Sequence, residues 1–439
     1  MLKMEHIKIK KGLDIPIGGV AERKVLDARS IGLYAVKPPD VVGFTPRLMV
    51  AEGDTVYAGQ PVVADKNNPR LTLPSPVGGT VKTIVRGEKR KLMEVVISRE
   101  PSTSSKSNIF GLTIDSPCWW MIKERPFGTI ANPDHKPKGI FVSMRDTNPL
   151  APDIQFALQG REHEFDAGVK ALEAYSPVHC VEAEGPHPAG NIGTIVAAIS
   201  PINKGEYVWS VGAQDVANIG RWILTGEYRP ERVIAIGGPA AKAPHYYRII
   251  AGACLKQITD AQLMNTSYPS IASNNTTRII SGSPLSGTTV NTDGFLGMYD
   301  QQVCMLDEGD KYEFMGWLMP GLRKFSFSQT FLSGFLGHLD ILDNLGLPRM
   351  SYNFNTNVHG SVRPFLFTGS FERVFPFDIY PLQLIKACIV GDVELQEKLG
   401  IYEVEPEDFA LCEFIDPSKT EIQTIIREAL EVLRKEATA

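Results

Sequence analysis

Short hydrophobic runs separated by turn signals dominate the first hundred residues. Each run is three to five residues long, and turns that contain Gly or Asp separate the runs, as Glu52-Gly53-Asp54 does after Leu48-Met49-Val50. Strands this short, broken at such turns, are typical of a small barrel or sandwich. The pattern therefore predicts an all-β domain over residues 1–105.

Strand-like and helix-like periods alternate from about residue 139 to residue 257. The helix-like segments repeat apolar residues at i, i+3, i+4 and i+7, as between Ile192 and Ile199, and Gly226 is placed to end a second such helix. Pro244 is expected to begin a further helix that runs through Cys254. The strand candidates are residues 139–144, 178–181, 207–211 and 232–236. This alternation predicts a Rossmann-like parallel α/β domain over residues 106–260, with ligands beyond the carboxyl ends of its strands.

The remaining chain is predicted to be a second β region followed by helices. Short β-like runs at 278–282 and 302–305 predict a small β-grasp domain over residues 261–325. Residues 326–439 are expected to end in a helical bundle, because helix start signals recur at Asp378, Pro381 and Asp392 and one apolar face continues to Leu433.

Composition and charge exclude several classes of protein. The chain has 439 residues, of which 43% are hydrophobic, and its formal net charge is −5. The longest basic cluster is Lys89-Arg90-Lys91, so we expect no nucleic-acid partner. The longest apolar run, Ile192 to Ile199, is far too short to cross a membrane, and the N-terminus has no signal-peptide pattern.

The cysteines give no indication of a metal centre. The closest pair, Cys388 and Cys412, are 24 residues apart, and there is no Cys-x-x-Cys motif. An iron–sulfur cluster needs four ligands, which Cys412 alone does not provide. We therefore expect buried thiols, with no cofactor and no metal bound by this chain.

Two glycine-rich loops are candidate ligand sites. Residues 185–194 precede a predicted helix, and Gly237-Gly238-Pro239 follow a predicted strand. Such loops can hold an anion with backbone N–H groups at a helix N-terminus, but neither is a dinucleotide fingerprint or a P-loop. Close packing of strand against helix also selects glycine.

The N-terminal domain resembles biotinyl and lipoyl carrier domains. The resemblance rests on V-x-E-G-D-x-V-x-x-G-Q-P from Val50 and on S-P-x-x-G-x-V from Ser75. In such domains a hairpin displays a modified lysine, and Lys66 lies in that hairpin. Asn67 to Arg70 follow it where carriers have small or apolar residues. We expect a barrel-sandwich scaffold with unmodified Lys66; the alternative is a swinging-arm carrier.

Nearly the whole chain resembles the A-type subunit of the sodium-translocating NADH:quinone reductase. The matching segments occur in order along the chain and are too many for chance similarity. They are I-K-I-K-K-G-L-D-I-P-I-G-G at 7–19, A-D-K-N-N-P at 64–69, R-P-F at 125–127, D-T-N-P-L-A at 146–151, G-P-H-P-A-G at 185–190, Q-D-V at 214–216, L-T-G-E at 224–227, R-I-I-S-G-S at 278–283, F-x-R-V-x-P-x-D at 371–378 and D-F-A-L-C at 408–412.

The resemblance implies a peripheral subunit on the cytoplasmic face of the bacterial inner membrane. Its partners would be five other subunits, some of them integral to the membrane, in a complex that oxidises NADH, reduces ubiquinone or menaquinone and exports sodium. Flavins and iron centres would belong to the other subunits. This chain has Asp416 where the family can show a second cysteine, which argues against redox chemistry on its thiols.

The resemblance also implies a role in quinone binding. A quinone head is flat and accepts hydrogen bonds, so its site needs aromatic walls and placed donors. The predicted site residues are Trp120, Arg125, Phe127 and His187: the aromatic rings form walls, His187 donates to a quinone oxygen, and Arg125 stabilises a reduced, anionic form. The alternatives are a scaffold subunit in which these residues are structural, or a flavin- or NADH-binding subunit of the Rnf type.

Overall fold

The structure, a computed structural model, describes residues 4–100, 111–263, 277–310, 351–365 and 369–438, together with a few isolated residues between 315 and 327. Residues 328–350 of the predicted C-terminal region lie outside the described residues. The strands that are described are β1 (Met4–Lys8), β2 (Glu22–Asp27), β3 (Leu33–Val36), β4 (Pro46–Leu48), β5 (Thr55–Val56), β6 (Pro61–Asp65), β7 (Thr72–Pro74), β8 (Gly79–Arg86), β9 (Leu92–Arg99), β10 (Ile122–Arg125), β11 (Thr129–Ile130), β12 (Ile140–Ser143), β13 (Val178–Glu184), β14 (Val208–Val211), β15 (Glu231–Gly237), β16 (His245–Ile250), β17 (Thr277–Ser281), β18 (Thr288–Val290) and β19 (Gln302–Asp307).

The helices occupy the central part and the C-terminal part of the chain. They are α1 (Ile154–Leu158), α2 (Glu162–Glu173), α3 (Ile192–Ile199), α4 (Ala213–Thr225), α5 (Lys256–Gln262), α6 (Phe371–Val374), α7 (Pro381–Val390), α8 (Val393–Lys398), α9 (Ala410–Ile415) and α10 (Ile422–Thr438). Short 3-10 helices include Trp119–Met121, Ile401–Glu403 and Pro406–Phe409. The predicted helix at 192–199 is confirmed, and so is Gly226 as a left-handed C-cap at φ +66°.

The N-terminal β domain is built from two small sheets. Strands β3-β9-β8-β5 form one sheet, and β4-β6-β7 form the other. Apolar residues that alternate along these strands, among them Val56, Val62 and Ile97, are completely buried between the sheets. The prediction of an N-terminal β domain is confirmed for strands β3 to β9, in which each small sheet buries one face against the other.

The central α/β part contains a six-stranded mixed sheet in the order β1-β13-β12-β14-β10-β11. Strands β1, β13, β12 and β14 are parallel, whereas β10 is antiparallel to β14 and β11 is antiparallel to β10. Helices α2 and α4 pack very closely. A Cβ at Gly220 would lie only 1.7 Å from the carbonyl oxygen of Glu164. Glycine at that position therefore allows the two backbones to touch.

The predicted helix from Pro244 to Cys254 is wrong. His245–Ile250 form strand β16, antiparallel to β15, in a second six-stranded sheet with the order β18-β17-β19-β15-β16-β2. The aromatic and β-branched residues of this segment favour a strand, and pairing with residues 231–236 outweighs the helix start signal of Pro244. The predicted strand at 232–236 exists, but it belongs to this second sheet and not to the sheet that contains β12.

The first strands of the chain lie outside the N-terminal β domain. Strand β1 pairs in parallel with β13 at one edge of the α/β sheet, and β2 pairs in parallel with β16 at one edge of the second sheet. The N-terminal segment therefore joins both six-stranded sheets before the chain enters the β domain at residue 33.

The C-terminal region is helical, as predicted. Helices α6 to α10 and the two nearby 3-10 helices share a core in which Phe375, Phe409 and Leu430 are buried, and Ile15 and Ile17 of the N-terminal segment complete it. The 3-10 helix Pro406–Phe409 lies at the side of this region that faces the α/β sheet. It contributes acidic residues to the cleft described below.

Candidate functional site

A polar cleft lies at the carboxyl ends of β12 and β14, with a cavity volume of about 220 Å³. This is the position at which ligands bind in sheets of this kind. Strand β10 and the C-terminal region close its sides. The lining residues are Met121, Lys123, Arg125, Ser143, Asp146, Asn148, Ile154, Gly190, Asn191, Ile192, Ser210, Val211, Gly212, Ala213, Asp215, Tyr299, Gln301, Glu405 and Glu407.

Two cationic side chains of β10 line the cleft. Lys123 and Arg125 are two positions apart on a strand, so they share one face of the sheet. The Lys123 ammonium lies 3.7 Å from the centre of the Tyr299 ring and forms no ion pair with any residue in the described ranges. The Nε atom of Arg125 is buried without a hydrogen-bond partner. The cleft thus offers N–H donors beside an aromatic ring.

The opposite wall is acidic and comes from the C-terminal region. Asp408 lies 2.7 Å from Nη2 of Arg125, and Glu405 lies 3.6 Å from its Nε. The side chains of Glu405 and Asp408 each accept the backbone N–H of the other residue, which fixes the start of this 3-10 helix. Burial alone would lower the pKa of Arg125, but the carboxylates of Glu405 and Asp408 outweigh burial and raise it.

Glu407 reaches into the cleft from this wall together with Glu405. Its side chain keeps exposed surface, yet protein surrounds it on the cleft side. The loss of solvent there, together with the nearby carboxylates of Asp408 and Glu405, raises the pKa of Glu407. Glu407 therefore holds a proton to higher pH than an ordinary glutamate.

The first turns of two helices also reach the cleft. Helix α3 begins after Asn191 and helix α4 after Gly212, and neither N-cap residue makes a side-chain capping bond. Asp215, in the first turn of α4, is neutralised by a bidentate ion pair with buried Arg232, at 2.8 and 2.9 Å. At Gly193, in the first turn of α3, an added Cβ would lie 2.2 Å from Oδ1 of Asp408.

The structure brings one of the four predicted site residues into the cleft. Arg125 lines it, whereas Trp120, Phe127 and His187 do not. Trp120 is buried beneath the cleft, with its ring 5.4 Å from that of Tyr299 and its Nε1 donating to the hydroxyl of Tyr228 at 3.0 Å.

Phe127 and His187 lie in other surroundings. The Phe127 ring packs edge-on against Tyr402 of the C-terminal region at 6.3 Å. His187 is buried, its Nδ1 lies 3.3 Å from the hydroxyl of Thr147, and its Nε2 has no hydrogen-bond partner. Burial lowers the pKa of His187 to about 4, so the ring is neutral at pH 7.

The other candidate motifs fall in different places. Gly190 to Ile192 of the first glycine-rich loop line the cleft. Gly238 of the second loop packs against the backbone of Gly19 and Met305 in the second sheet, where a Cβ would clash. Lys66 is exposed in the hairpin between β6 and β7.

Sequence reasoning missed Lys123, Tyr299 and Glu407. Lys123 has a local signal, because it stands two residues before Arg125 in a strand and therefore shares its face. Tyr299 and Glu407 have none, because only the tertiary fold brings them to the cleft.

The described parts of the chain contain no group of His, Cys, Asp and Glu side chains that could hold a metal ion. Within those same parts, no helix combines the length and the apolar character needed to cross a membrane.

Three domain families match the chain in sequence order. They are the NqrA N-terminal barrel-sandwich hybrid domain over residues 7–100, the NqrA second alpha/beta domain over residues 105–184 and 173–228, and the NQRA C-terminal domain over residues 233–292. These matches define the class: a multidomain protein with the NqrA arrangement, whose N-terminal domain is a barrel-sandwich.

Full-length relatives give the family. The chain is 35% identical to a protein of Rhodopirellula baltica over 98% of both chains. It is 36% identical to one of Aliivibrio salmonicida, and 35% identical to one of Neisseria meningitidis, over 98% of this chain and all of those. Each is named as the A-type subunit of the Na(+)-translocating NADH-quinone reductase. The chain belongs to this family, the NqrA family.

A solved structure of an NAD+-reducing [NiFe]-hydrogenase aligns with a smaller part of the chain. The alignment covers 40% of this chain and 41% of the hydrogenase chain, at 10% identity and a TM-score of 0.28. That TM-score is too low to carry any argument about fold or function.

Proposed function

We propose that this chain is a peripheral subunit of a complex that couples NADH oxidation and quinone reduction to sodium export, and that it contributes to quinone binding. The names of the full-length relatives support the first part. The other subunits, some of them integral to the membrane, carry the flavins and iron centres. The chain lies on the cytoplasmic face of the membrane and binds no redox cofactor itself.

The quinone head binds in the cleft at the carboxyl ends of β12 and β14. The observation that carries this proposal is the Lys123 ammonium over the Tyr299 ring, with Arg125 lining the same cleft two positions further along the strand. A quinone has flat apolar faces and two carbonyl oxygens that accept hydrogen bonds. Apolar Met121 and Val211 in the cleft lining suit the faces, and the Lys123 ammonium, which lies over the Tyr299 ring, suits an oxygen.

Charge and protons in the cleft fit reduction of a quinone. The positive charge of Lys123 stabilises negative charge that develops on the quinone oxygens. Arg125 contributes its Nε–H, which has no hydrogen-bond partner, while its charge is shared with Asp408 and Glu405. Glu407, with its raised pKa, is a source of the proton that a reduced quinone takes up. The electrons come from the other subunits, so this chain supplies binding, charge stabilisation and a proton.

The other residues predicted from the sequence have weaker support. Trp120 acts on the cleft through the Tyr299 ring that it contacts. That Phe127 and His187 touch the quinone stays a prediction, tested by Phe127→Ala and His187→Ala in the assembled complex. An unchanged KM for quinone in a fully assembled complex contradicts it.

The decisive experiment measures quinone binding to the purified chain. A short-chain water-soluble quinone is titrated while tryptophan fluorescence is recorded, since Trp120 lies next to Tyr299. Lys123→Gln removes a charged donor and is expected to weaken binding roughly 10- to 100-fold. The control is Lys136→Gln, at an exposed lysine that does not line the cleft.

Equal binding by both variants contradicts the cleft as the quinone site. If the wild-type chain binds no quinone, but the complex does not assemble without this chain, the chain has a scaffold role. Stoichiometric flavin that stays bound to the purified chain, seen as absorption near 450 nm, would favour the Rnf-type alternative.

The finer fold assignments belong to the same proposal. Parallel β13, β12 and β14 with helices between them support a Rossmann-like domain within residues 106–260. Strands β17, β18 and β19 support a β-grasp domain within residues 261–325. The outer limits predicted from the sequence are residues 1–105 and 326–439. Within the first range, only residues from 33 onward form the β domain, because strands β1 and β2 pair with the two six-stranded sheets.

A further inference from the structure

The hairpin between β8 and β9 concentrates positive charge in this acidic chain. Its tip, residues 85–91, has four basic residues and the single acid Glu88. All four basic side chains are exposed. None of them forms an ion pair with a residue in the part of the chain that the structure describes. The four are Arg86, Lys89, Arg90 and Lys91.

The backbone at the tip keeps this charge concentrated and outward. Lys89 and Arg90 both lie in the left-handed region, at φ +50° and +60°, which is uncommon for residues other than glycine. The turn is closed by the backbone, where the N–H of Gly87 donates to the carbonyl of Lys91 at 2.8 Å. Arg86 donates to the carbonyl of Arg90, and Val85 beside it is 37% exposed.

The acids near this hairpin do not neutralise the tip. Glu52, in the loop between β4 and β5, accepts the N–H of Ile84 of β8, away from the tip. Glu94 is half-buried. The tip therefore presents a compact positive surface in a chain whose formal net charge is −5.

We propose that the tip of the β8–β9 hairpin is an electrostatic docking surface for anionic phospholipid headgroups. The proposal rests on the proposed function, which puts this peripheral chain beside a membrane. Four clustered Lys and Arg side chains reach the range in which segments bind anionic membrane surfaces. The tip is small and carries no aromatic ring, which favours a fluid array of headgroups over a shaped protein pocket.

The test is sedimentation of the purified full chain with lipid vesicles. One set of vesicles is phosphatidylcholine alone, and the other contains equal parts of phosphatidylcholine and phosphatidylglycerol. We expect the wild-type chain to bind the second set only, and added salt to release it. The tip variant is Lys89→Asn, Arg90→Asn and Lys91→Gln, because asparagine tolerates the left-handed backbone.

The matched control removes the same charge from another hairpin of the same domain. It is Arg47→Gln, Lys66→Gln and Arg70→Gln, three exposed positions in and next to the β6–β7 hairpin. The tip variant is expected to lose on the order of 100-fold in vesicle affinity, and the control to lose little. Equal melting temperatures show that both variants fold.

Three outcomes overturn the proposal. They are no binding of wild-type chain to anionic vesicles, an equal loss in the control, and a tip variant that binds vesicles normally but no longer assembles. The last points to an acidic protein surface as the partner. Vesicle binding is measured without quinone. A failure of the quinone-binding experiment therefore does not affect the vesicle result, and a failure to bind vesicles does not affect the quinone result.

Discussion

Nη2 of Arg125 lies 2.7 Å from Oδ2 of Asp408, although the two residues are 283 positions apart in the chain. Both side chains are almost completely buried. This ion pair joins strand β10 of the α/β sheet to the C-terminal region, and it lies at the edge of the cleft. The same contact therefore fixes one wall of the candidate site and holds two parts of the protein together.

Breaking this ion pair is expected to destabilise the protein. Asp408→Asn leaves the buried guanidinium of Arg125 with a weaker partner, so we expect the free energy of unfolding to fall by about 3 kcal/mol. Urea denaturation followed by tryptophan fluorescence measures the change. The control is Glu394→Gln, which removes an exposed pair with Lys398 at 3.9 Å and should have no measurable effect. Similar losses in both variants would contradict the role assigned to Asp408.

The buried His187 is expected to make stability depend on pH. Its pKa is about 4 in the folded protein, against an ordinary value near 6.5. Between these two pH values the unfolded chain therefore binds more protons than the folded protein. As a result, the contribution of His187 to the free energy of unfolding is highest above pH 6.5 and falls as the pH falls towards 4. The loss should reach at most about 3 kcal/mol.

The measurement compares urea midpoints at pH 7 and pH 5 in the wild type and in His187→Gln. The variant should lose less stability on acidification than the wild type. His6→Gln, at an exposed histidine, should behave like the wild type. If His187→Gln and the wild type respond equally to pH, His187 is not the group responsible.

A methyl group at residue 193 is expected to disturb the contact between α3 and the C-terminal region. An added Cβ would lie 2.2 Å from Oδ1 of Asp408, and Arg125 holds that carboxylate in place. We expect Gly193→Ala to lower the free energy of unfolding by about 1–3 kcal/mol through overpacking. The control is Gly32→Ala, where no atom lies within 4 Å of the added Cβ. A wild-type unfolding curve for Gly193→Ala would show that Asp408 can move aside.

Lys66 is expected to be unmodified when the chain is produced in its own host. It is exposed in the β6–β7 hairpin, where a carrier domain would display its lysine. However, Asn67 to Arg70 beside it do not resemble a carrier motif. The intact mass of the purified chain should equal that of the unmodified sequence. A biotin or lipoate increment on the peptide that contains Lys66 would restore the carrier interpretation.

Local patterns in the sequence predicted local structure well. Helix α3 appears where Ile192, Ile195 and Ile199 share a face, and α4 ends at left-handed Gly226. These features depend on residues within one or two turns of each other. The segment His245–Ile250 shows the limit, because its pairing with residues 231–236 decides between helix and strand.

The candidate site could be predicted only in part for the same reason. The position beyond the parallel strands follows from the alternation of strands and helices, and Arg125 was found through its motif. The acidic wall comes from Glu405 and Glu407, which a 3-10 helix far along the chain brings to the cleft. No spacing rule links such distant residues. Trp120 fitted the aromatic wall of a quinone site by its chemistry, but its actual neighbours are core residues.

The place of the first two strands has a consequence for synthesis on the ribosome. Strand β1 pairs with residues 180–184, and β2 pairs with residues 245–248. At about 5–20 residues per second, β1 waits roughly 10 to 40 s before its neighbour emerges, and β2 waits longer still. The barrel-sandwich is made after these two strands and before their pairing partners, so it can fold during that interval. The nascent chain therefore carries two unpaired strands ahead of an already folded domain, so its earliest-made residues are among the last to be paired.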